Sequence, residues 1–245
     1  MKVILNAGGK GTRGWPLTTY IPKSMLPVSG KPLAEHIVNY LDTFEEISEI
    51  IFIVDDSELG EQIPNFFDGK QNKYRVKLTF RKDRQDDTGG AILQCQDDLK
   101  NEKDFLLWYS DNLCNLDVGQ MIKQFRDSNC IGCIATRQKK QEETGFVKIR
   151  DDNRIISFVE KPISNLDLPE ALGIYAFKTE ILEDIKKVNE TKQKINLSFD
   201  IIQNLPELSM LSYDIGDSVW LDLESQNKIV RNKKSIDAIL SSINT

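Results

Sequence analysis

Histidine is nearly missing from this chain: His36 is the only one in 245 residues. Its solitude excludes a His-rich metal centre and argues against a Ser-His-Asp catalytic arrangement. The surrounding PLAEHIVNYL has the spacing of a first amphipathic helix, in which a histidine is expected to be satisfied by the fold. A cationic surplus is missing as well. Lys and Arg number 32 against 38 Asp and Glu, a net charge of −6, which argues against nucleic acid as the main partner. An anionic small substrate needs only a local cluster of cations. No apolar run approaches a membrane span, and Val3-Ile4-Leu5 is too short for a secretory signal, so a cytoplasmic location with no membrane partner is expected. The four cysteines include Cys130 and Cys133 in CIGC, but no second CxxC exists to complete a zinc site. Together with Cys95 and Cys114 they are expected to be small buried thiols.

What is present is the rhythm of an α/β protein. Forty per cent of the residues are apolar and 29% charged, an ordinary globular balance on a chain long enough for one full core. Apolar runs alternate with helix-period segments: KVILN, then 33–42; IIFIV, then 59–67; VKLTF, then 90–99; FLLWYS, then 118–127; then CIGCIAT. Short strands separated by helices indicate βαβ units and a doubly wound, mostly parallel sheet. The rhythm changes after about residue 137. GFVKIRDDNRIISFVEKP predicts two strands joined at Asp151-Asp152-Asn153, and LGIYAF a third, so the second half adds a β-rich lobe. Helices are expected at 179–188 and 198–205, strands near 209–214 and 219–222, and a polar helix to the end. One domain over 1–245 is expected, in two halves, 1–137 and 138–245, with no internal repeat.

The segment AGGKGTRGWPLT, residues 7–18, follows the first strand directly. A glycine-rich turn with cations after a strand can turn several backbone N–H groups onto phosphate oxygens. Gly9 to Gly14 match GxGxxG literally, but a dinucleotide fold needs a helix to begin inside the motif. Trp15-Pro16 works against that start, because the residue before proline is driven out of helical conformation. The acidic residue ending the second strand is Asp55, much farther on than the spacing of about twenty that a ribose contact requires. A P-loop fails too, since Lys10 precedes Gly11 and Lys31 precedes Pro32.

A long non-helical loop remains: Gly11-Thr12-Arg13, Pro16-Leu17-Thr18, then Pro22-Lys23-Ser24-Met25-Leu26-Pro27. In these residues the chain resembles the sugar-1-phosphate nucleotidyltransferases, or nucleoside-diphosphate-sugar pyrophosphorylases, of the glucose-1-phosphate thymidylyltransferase and mannose-1-phosphate guanylyltransferase type. The matching signature runs over about twenty-five residues and is far more specific than GxGxxG. The likeness continues through Ser110-Asp111-Asn112, Gly145, Glu160-Lys161-Pro162, Gly173 and Trp220-Leu221-Asp222.

The resemblance implies a Rossmann-like fold with a nucleotide-binding first half and a sugar-phosphate-binding second half. It implies attack by a sugar 1-phosphate oxygen on the α-phosphorus of a nucleoside triphosphate, with pyrophosphate leaving. Arg13, Lys23 and Asp111 would be catalytic. Ala7, Gly8, Gly9, Gly11, Thr12, Arg13, Thr88 and Gly89 would hold the nucleotide. Gly145, Glu160, Lys161 and Gly173 would hold the sugar phosphate, and Asp111 and Asp222 would bind Mg2+. A homo-oligomer is compatible with the family, and without hexapeptide repeats no acyltransferase activity is expected.

Around the nucleobase the chain departs from the family pattern. Asn6 precedes Ala-Gly-Gly, Asp86-Asp87-Thr88 stands where Leu-Gly-Thr is usual, and Leu223-Glu224-Ser225 follows Asp222 without the usual glycine. The choice of base is left open. Two alternatives accompany the sugar phosphate: a phosphocholine or other phosphomonoester acceptor, and a regulatory relative that binds nucleotide without turnover.

Overall fold

The computed structural model describes residues 1–243. The chain runs β1 (Lys2–Ala7), β2 (Pro27–Val28), β3 (Lys31–Pro32), α1 (Leu33–Leu41), β4 (Glu49–Asp55), α2 (Gln62–Phe67), β5 (Lys77–Asp83), α3 (Asp87–Gln94), α4 (Gln96–Leu99), β6 (Asp104–Tyr109), β7 (Asn112–Cys114), α5 (Val118–Arg126), β8 (Gly132–Gln141), β9 (Gly145–Ile149), β10 (Ile155–Glu160), β11 (Ile163–Lys178), α6 (Ile181–Asn189), β12 (Met210–Asp214), β13 (Trp220–Asp222), α7 (Gln226–Arg231) and α8 (Lys233–Ile243).

Seven strands form the central sheet in the order β12-β8-β11-β6-β1-β4-β5. β6, β1, β4 and β5 are parallel to one another, and β11 alone runs antiparallel to its neighbours β6 and β8. The continuous apolar runs of β1, β4 and β6 follow from burial on both faces. Val3, Leu5, Ile50, Phe52, Leu106 and Trp108 point into one core beneath α1, α5 and α8. Ile4, Ile51, Ile53, Phe105 and Leu107 point into the other, beneath α3, α6 and the 197–201 turn. Each such side chain stabilises the fold by about 1.5–3 kcal/mol through removal from water. This is the doubly wound arrangement that the alternating runs predict.

The second half is not a separate sheet. β8 and the end of β11 lie inside the central sheet, while their outer ends continue beyond it, pairing Gln141 with Ile163. The hairpin β9–β10 stands apart as its own ribbon, turned at Asn153 with φ of +64°. It carries exposed Phe146, Ile149, Ile155 and Phe158. The helix expected at 198–205 is a π turn over Leu197–Ile201 followed by a 3-10 turn over Ile202–Asn204.

His36 is a core residue, as its helix position predicts: its Nε2 donates to the Val28 carbonyl at 2.8 Å, and burial lowers its pKa. Cys95, Cys114 and Cys133 are buried, but Cys130 is half-buried. It lies in the turn before β8, where its thiol donates to the Leu208 carbonyl at 3.6 Å, because the strand begins only at Gly132. Among the described residues no helix is long and apolar enough to cross a membrane.

Glu49 opens β4, between β1 and β5, and accepts from Thr79 Oγ1 at 2.5 Å, Lys2 at 2.9 Å and Lys77 at 3.1 Å. Burial works against its charge, yet these three partners outweigh burial and hold its pKa at about 2. The stabilisation from ionised Glu49 is therefore fully present above about pH 4.3, the ordinary value in an unfolded chain. It is lost as pH falls through about 2. Glu49→Gln should be less stable than the parent in urea at pH 7, and the gap should close as pH is lowered towards 2. A gap that persists at pH 2 would contradict the electrostatic origin.

Candidate active site

The loop after β1 owes its shape to glycines and one buried threonine. A Cβ on Gly8 would lie 2.2 Å from Asp83 Oδ2, so the Asp83 side chain would have to shift to admit one. Gly11 has φ of +61°, and Thr18 Oγ1 donates to its carbonyl at 2.6 Å, which folds the loop back on itself. The chain then passes through single 3-10 turns at Thr12–Gly14, Leu17–Thr19 and Lys23–Met25. No α-helix starts until Leu33. The dinucleotide-type helix is absent from the loop, as Trp15-Pro16 requires.

Lys23 lies under this loop, with its Nζ 3.9 Å from where a Cβ on Gly9 would sit, and forms an ion pair with Asp111 Oδ2. Asp111 follows the carboxyl end of β6, beside that of β1. The next strand, β7, pairs antiparallel with β13, placing Asn112 opposite Asp222. The Leu223 N–H donates to the Asp111 carbonyl at 2.7 Å. Two short strands thus bring together two aspartates far apart in sequence.

Around them the charges interlock. Asp222 accepts from Lys228 Nζ at 2.7 Å, and the same ammonium reaches Glu224 at 2.9 Å. Glu224 in turn accepts from Arg13 at 2.5 Å. Burial pushes the Asp222 carboxyl above its usual range, and the charge on Asp111 adds to the rise, against the hydrogen bond from Lys228. Burial disfavours the charge on Glu224 too, but Arg13 and Lys228 prevail and hold its pKa low. The Arg13 side chain is otherwise exposed, at 78%, and its charge is reinforced chiefly by the hydrogen bond to Glu224.

Sequence reasoning missed Glu224 and Lys228. The available signal was the extra carboxylate that replaces a glycine just past Asp222, followed four residues later by Lys228 at the start of α7. Ser225 caps that helix by accepting from the Lys228 N–H.

The second-half residues divide into two groups. Gly173 adjoins the charged cluster: its φ is +68°, and a Cβ there would lie 2.6 Å from Asn112 Nδ2 and 2.9 Å from Tyr109 Cδ2. Asn112 donates to the Leu172 carbonyl at 2.9 Å, which fixes this approach. Gly145, Glu160 and Lys161 lie at the base of the β9–β10 hairpin, where Gly145 faces Glu160 and the Lys161 N–H donates to the Thr144 carbonyl at 3.2 Å. Among the described residues, Glu160 and Lys161 make no ion pair with the Arg13, Lys23, Asp111 and Asp222 cluster. Thr88 and Gly89 are fastened to the 195–197 segment: the Leu197 N–H donates to Thr88 Oγ1 at 2.9 Å, and the Gly89 N–H donates to the Ile195 carbonyl at 2.7 Å.

Two cavities flank the cluster. One of about 300 Å3, at the ends of β1 and β4, is lined by Gly9, Trp15, Asp55, Leu59 and Gln85. The other, of about 550 Å3, reaches from Asp222 and Lys228 towards the hairpin base at Thr144. Its wall holds Arg137, which lies 4.7 Å over the Trp220 ring and donates to Glu170 at 2.7 and 2.9 Å.

A model of the nucleotidyl transferase family matches residues 1–237. The UTP–glucose-1-phosphate uridylyltransferase of Synechocystis is 30% identical over 91% of this chain, and the match takes in 60% of that protein. The bifunctional protein GlmU of Methanocaldococcus jannaschii is 28% identical over 99% of the chain and 56% of its own length. The chain therefore spans less than two thirds of the length of these curated relatives. Its fold is that of a solved Bacillus anthracis structure, described as a candidate glucose-1-phosphate thymidylyltransferase in complex with a sucrose. The TM-score is 0.75 and the identity 21%, over 96% of this chain and 95% of that one. With the signature loop, the strand-end aspartates and a family match over nearly all its length, the chain belongs to the nucleotidyl transferase family.

Proposed function

We propose that the protein transfers a nucleotidyl group from a nucleoside triphosphate to a hexose 1-phosphate, releasing pyrophosphate and forming a nucleoside-diphosphate sugar, with Mg2+ required. The observation that carries this function is the meeting of Lys23, from the glycine loop, with Asp111, from the end of β6. It sets a cation and a carboxylate together at the carboxyl edge of the sheet, where open α/β folds bind ligands.

The reaction needs little acid–base help from the protein. The attacking phosphate oxygen of the sugar 1-phosphate is already anionic; it forms the new bond to the α-phosphorus as the bond to the pyrophosphate oxygen breaks. The obstacle is repulsion between two polyanions and the charge gathered on the leaving group. Lys23 supplies a compact charge to the reacting phosphates, and Arg13 a planar fork suited to bidentate contact with the triphosphate. In the resting protein both cations are held by carboxylates, Asp111 and Glu224.

Asp111, in the turn between β6 and β7, and Asp222, on β13, are hard carboxylates that would hold magnesium. When bound, the metal would supply positive charge to offset the negative charge of the phosphates. The rise of the Asp222 pKa on burial beside Asp111 marks a place where added positive charge relieves an unfavourable pair of anions. The acceptor fits the larger cleft towards the hairpin base, where Lys161 would hold its phosphate and Glu160 its sugar hydroxyls.

Release of pyrophosphate from the common nucleoside triphosphates, measured with hexose 1-phosphates and with phosphocholine, tests the function. Turnover should require magnesium and stop with a chelator; undiminished turnover in chelator would contradict the metal assignment. Lys23→Ala and Arg13→Ala should each lower kcat/KM by about a hundredfold or more, and a loss under about threefold would mark them as ordinary surface charges. Asp111→Asn should abolish turnover and weaken nucleotide binding mainly when magnesium is present; equal weakening without the metal would indicate a structural role. Glu160→Ala should impair a hexose 1-phosphate far more than phosphocholine, which offers no hydroxyl. Faster turnover of phosphocholine than of every sugar phosphate would overturn the choice of acceptor.

A further inference from the structure

We propose that Asp55, oriented by Gln85 in the cavity at the ends of β1 and β4, selects guanine as the base of the nucleoside triphosphate. This rests on the proposed placement of the triphosphate at the Lys23–Asp111 pair. From that point, at the ends of β1 and β6, the sheet extends in two directions. The larger cleft lies towards β8, β11 and the hairpin, on the side that suits the acceptor. A nucleotide whose phosphates lie between the two directions extends the other way, over β4 and β5, and the cavity there is the one lined by Trp15, Asp55 and Gln85.

The wall chemistry of this cavity is specific. Trp15 is 62% exposed and offers a broad aromatic face on which a base can stack. Gly9, bare of side chain, lets the base approach the loop. Opposite them, Gln85 Nε2 donates to Asp55 Oδ2 at 3.2 Å. Gln85 holds this place with φ of +59°, a left-handed conformation unusual for a residue with a side chain, secured by its N–H donating to Asp83 Oδ1 at 2.8 Å. Among the described residues Asp55 forms no ion pair, although its neighbour Asp56 is paired with Lys82 at 2.9 Å. The cavity, which Lys10 also lines, thus holds a carboxylate that Gln85 engages through Oδ2.

An ionised carboxylate accepts and never donates. Both its oxygens are engaged at once by a base edge that presents adjacent N–H groups. Guanine does so with N1–H and the N2 amino group, and its neighbouring O6 can accept the second N–H of the Gln85 amide. Adenine and cytosine set a ring-nitrogen lone pair beside their amino group, and uracil and thymine flank N3–H with two carbonyls. Each of these turns an acceptor towards Asp55, and unmatched polar groups of this kind are what give a binding site its discrimination.

The test measures kcat/KM for GTP, dGTP, ATP, UTP, TTP and CTP with glucose 1-phosphate and mannose 1-phosphate, beside equilibrium binding of GDP and UDP, for the parent protein and Asp55→Asn. GTP should lead the other bases by about tenfold or more, and Asp55→Asn should erase most of that lead while leaving UTP within about threefold. The parent panel decides the matter even where the variant folds poorly: a lead for UTP or TTP overturns the guanine assignment while the transferase activity stands. Loss of the same size with dGTP as with Asp55→Asn would assign the carboxylate to the ribose and overturn it too. Asp55-dependent preference for GDP with no turnover of any pair would support the base assignment and contradict the proposed activity.

Discussion

Asp111, Asp222 and Glu224 converge at the carboxyl edge of one sheet, and such a concentration of negative charge cannot stand alone in a partly buried site. The protein meets this constraint with three cations drawn from separate segments: Lys23 on Asp111, Lys228 between Asp222 and Glu224, and Arg13 on Glu224. The arrangement ties the first thirty residues to the last thirty. On the proposed function these are the cations that meet the phosphates, so a ligand that brings phosphate and metal together would exchange partners within the cluster. In the proposed reaction that exchange, rather than an added base or nucleophile, is the site's chemistry.

The fold serves this cluster in an economical way. Parallel pairing of the buried strands β1, β4 and β6 with the edge strand β5 sets their ends side by side, and the glycine loop follows directly from β1. The antiparallel β11 then carries the chain out to the hairpin side and back. Its register breaks near Gly173, whose bare Cα lets Asn112 pack against it beside Asp111. β7 and β13, three residues each, are enough to deliver Asp222. On one side of the cluster lies a cavity with an aromatic wall and the Gln85-bound Asp55, on the other a larger polar cleft, which gives the site a direction.

Most of the sheet was legible because strands buried on both faces write themselves as unbroken apolar runs, as in Ile50 to Val54 and Phe105 to Trp108. The loop was legible because its glycines and prolines are local requirements, written where they act. The hairpin was legible from its Asp151-Asp152-Asn153 turn. Other features depend on contacts that no local pattern records. The Arg13–Glu224 bond joins residues 211 apart in sequence. The first half of β11 alternates polar and apolar residues on a partly exposed extension, so LGIYAF alone stood out from a strand that begins at Ile163. Thr88 and Gly89 carry the expected motif positions, yet their backbone and hydroxyl groups are engaged by Ile195 and Leu197, which only the folded chain reveals.

The most direct measurement is a structure of the protein with a non-hydrolysable nucleoside triphosphate analogue and magnesium. The account predicts that Lys23 leaves Asp111 for a phosphate oxygen, that Asp111 and Asp222 share the metal, and that Arg13 turns from Glu224 towards the triphosphate. Phosphates bound elsewhere, with the Lys23–Asp111 and Arg13–Glu224 pairs intact, would contradict it.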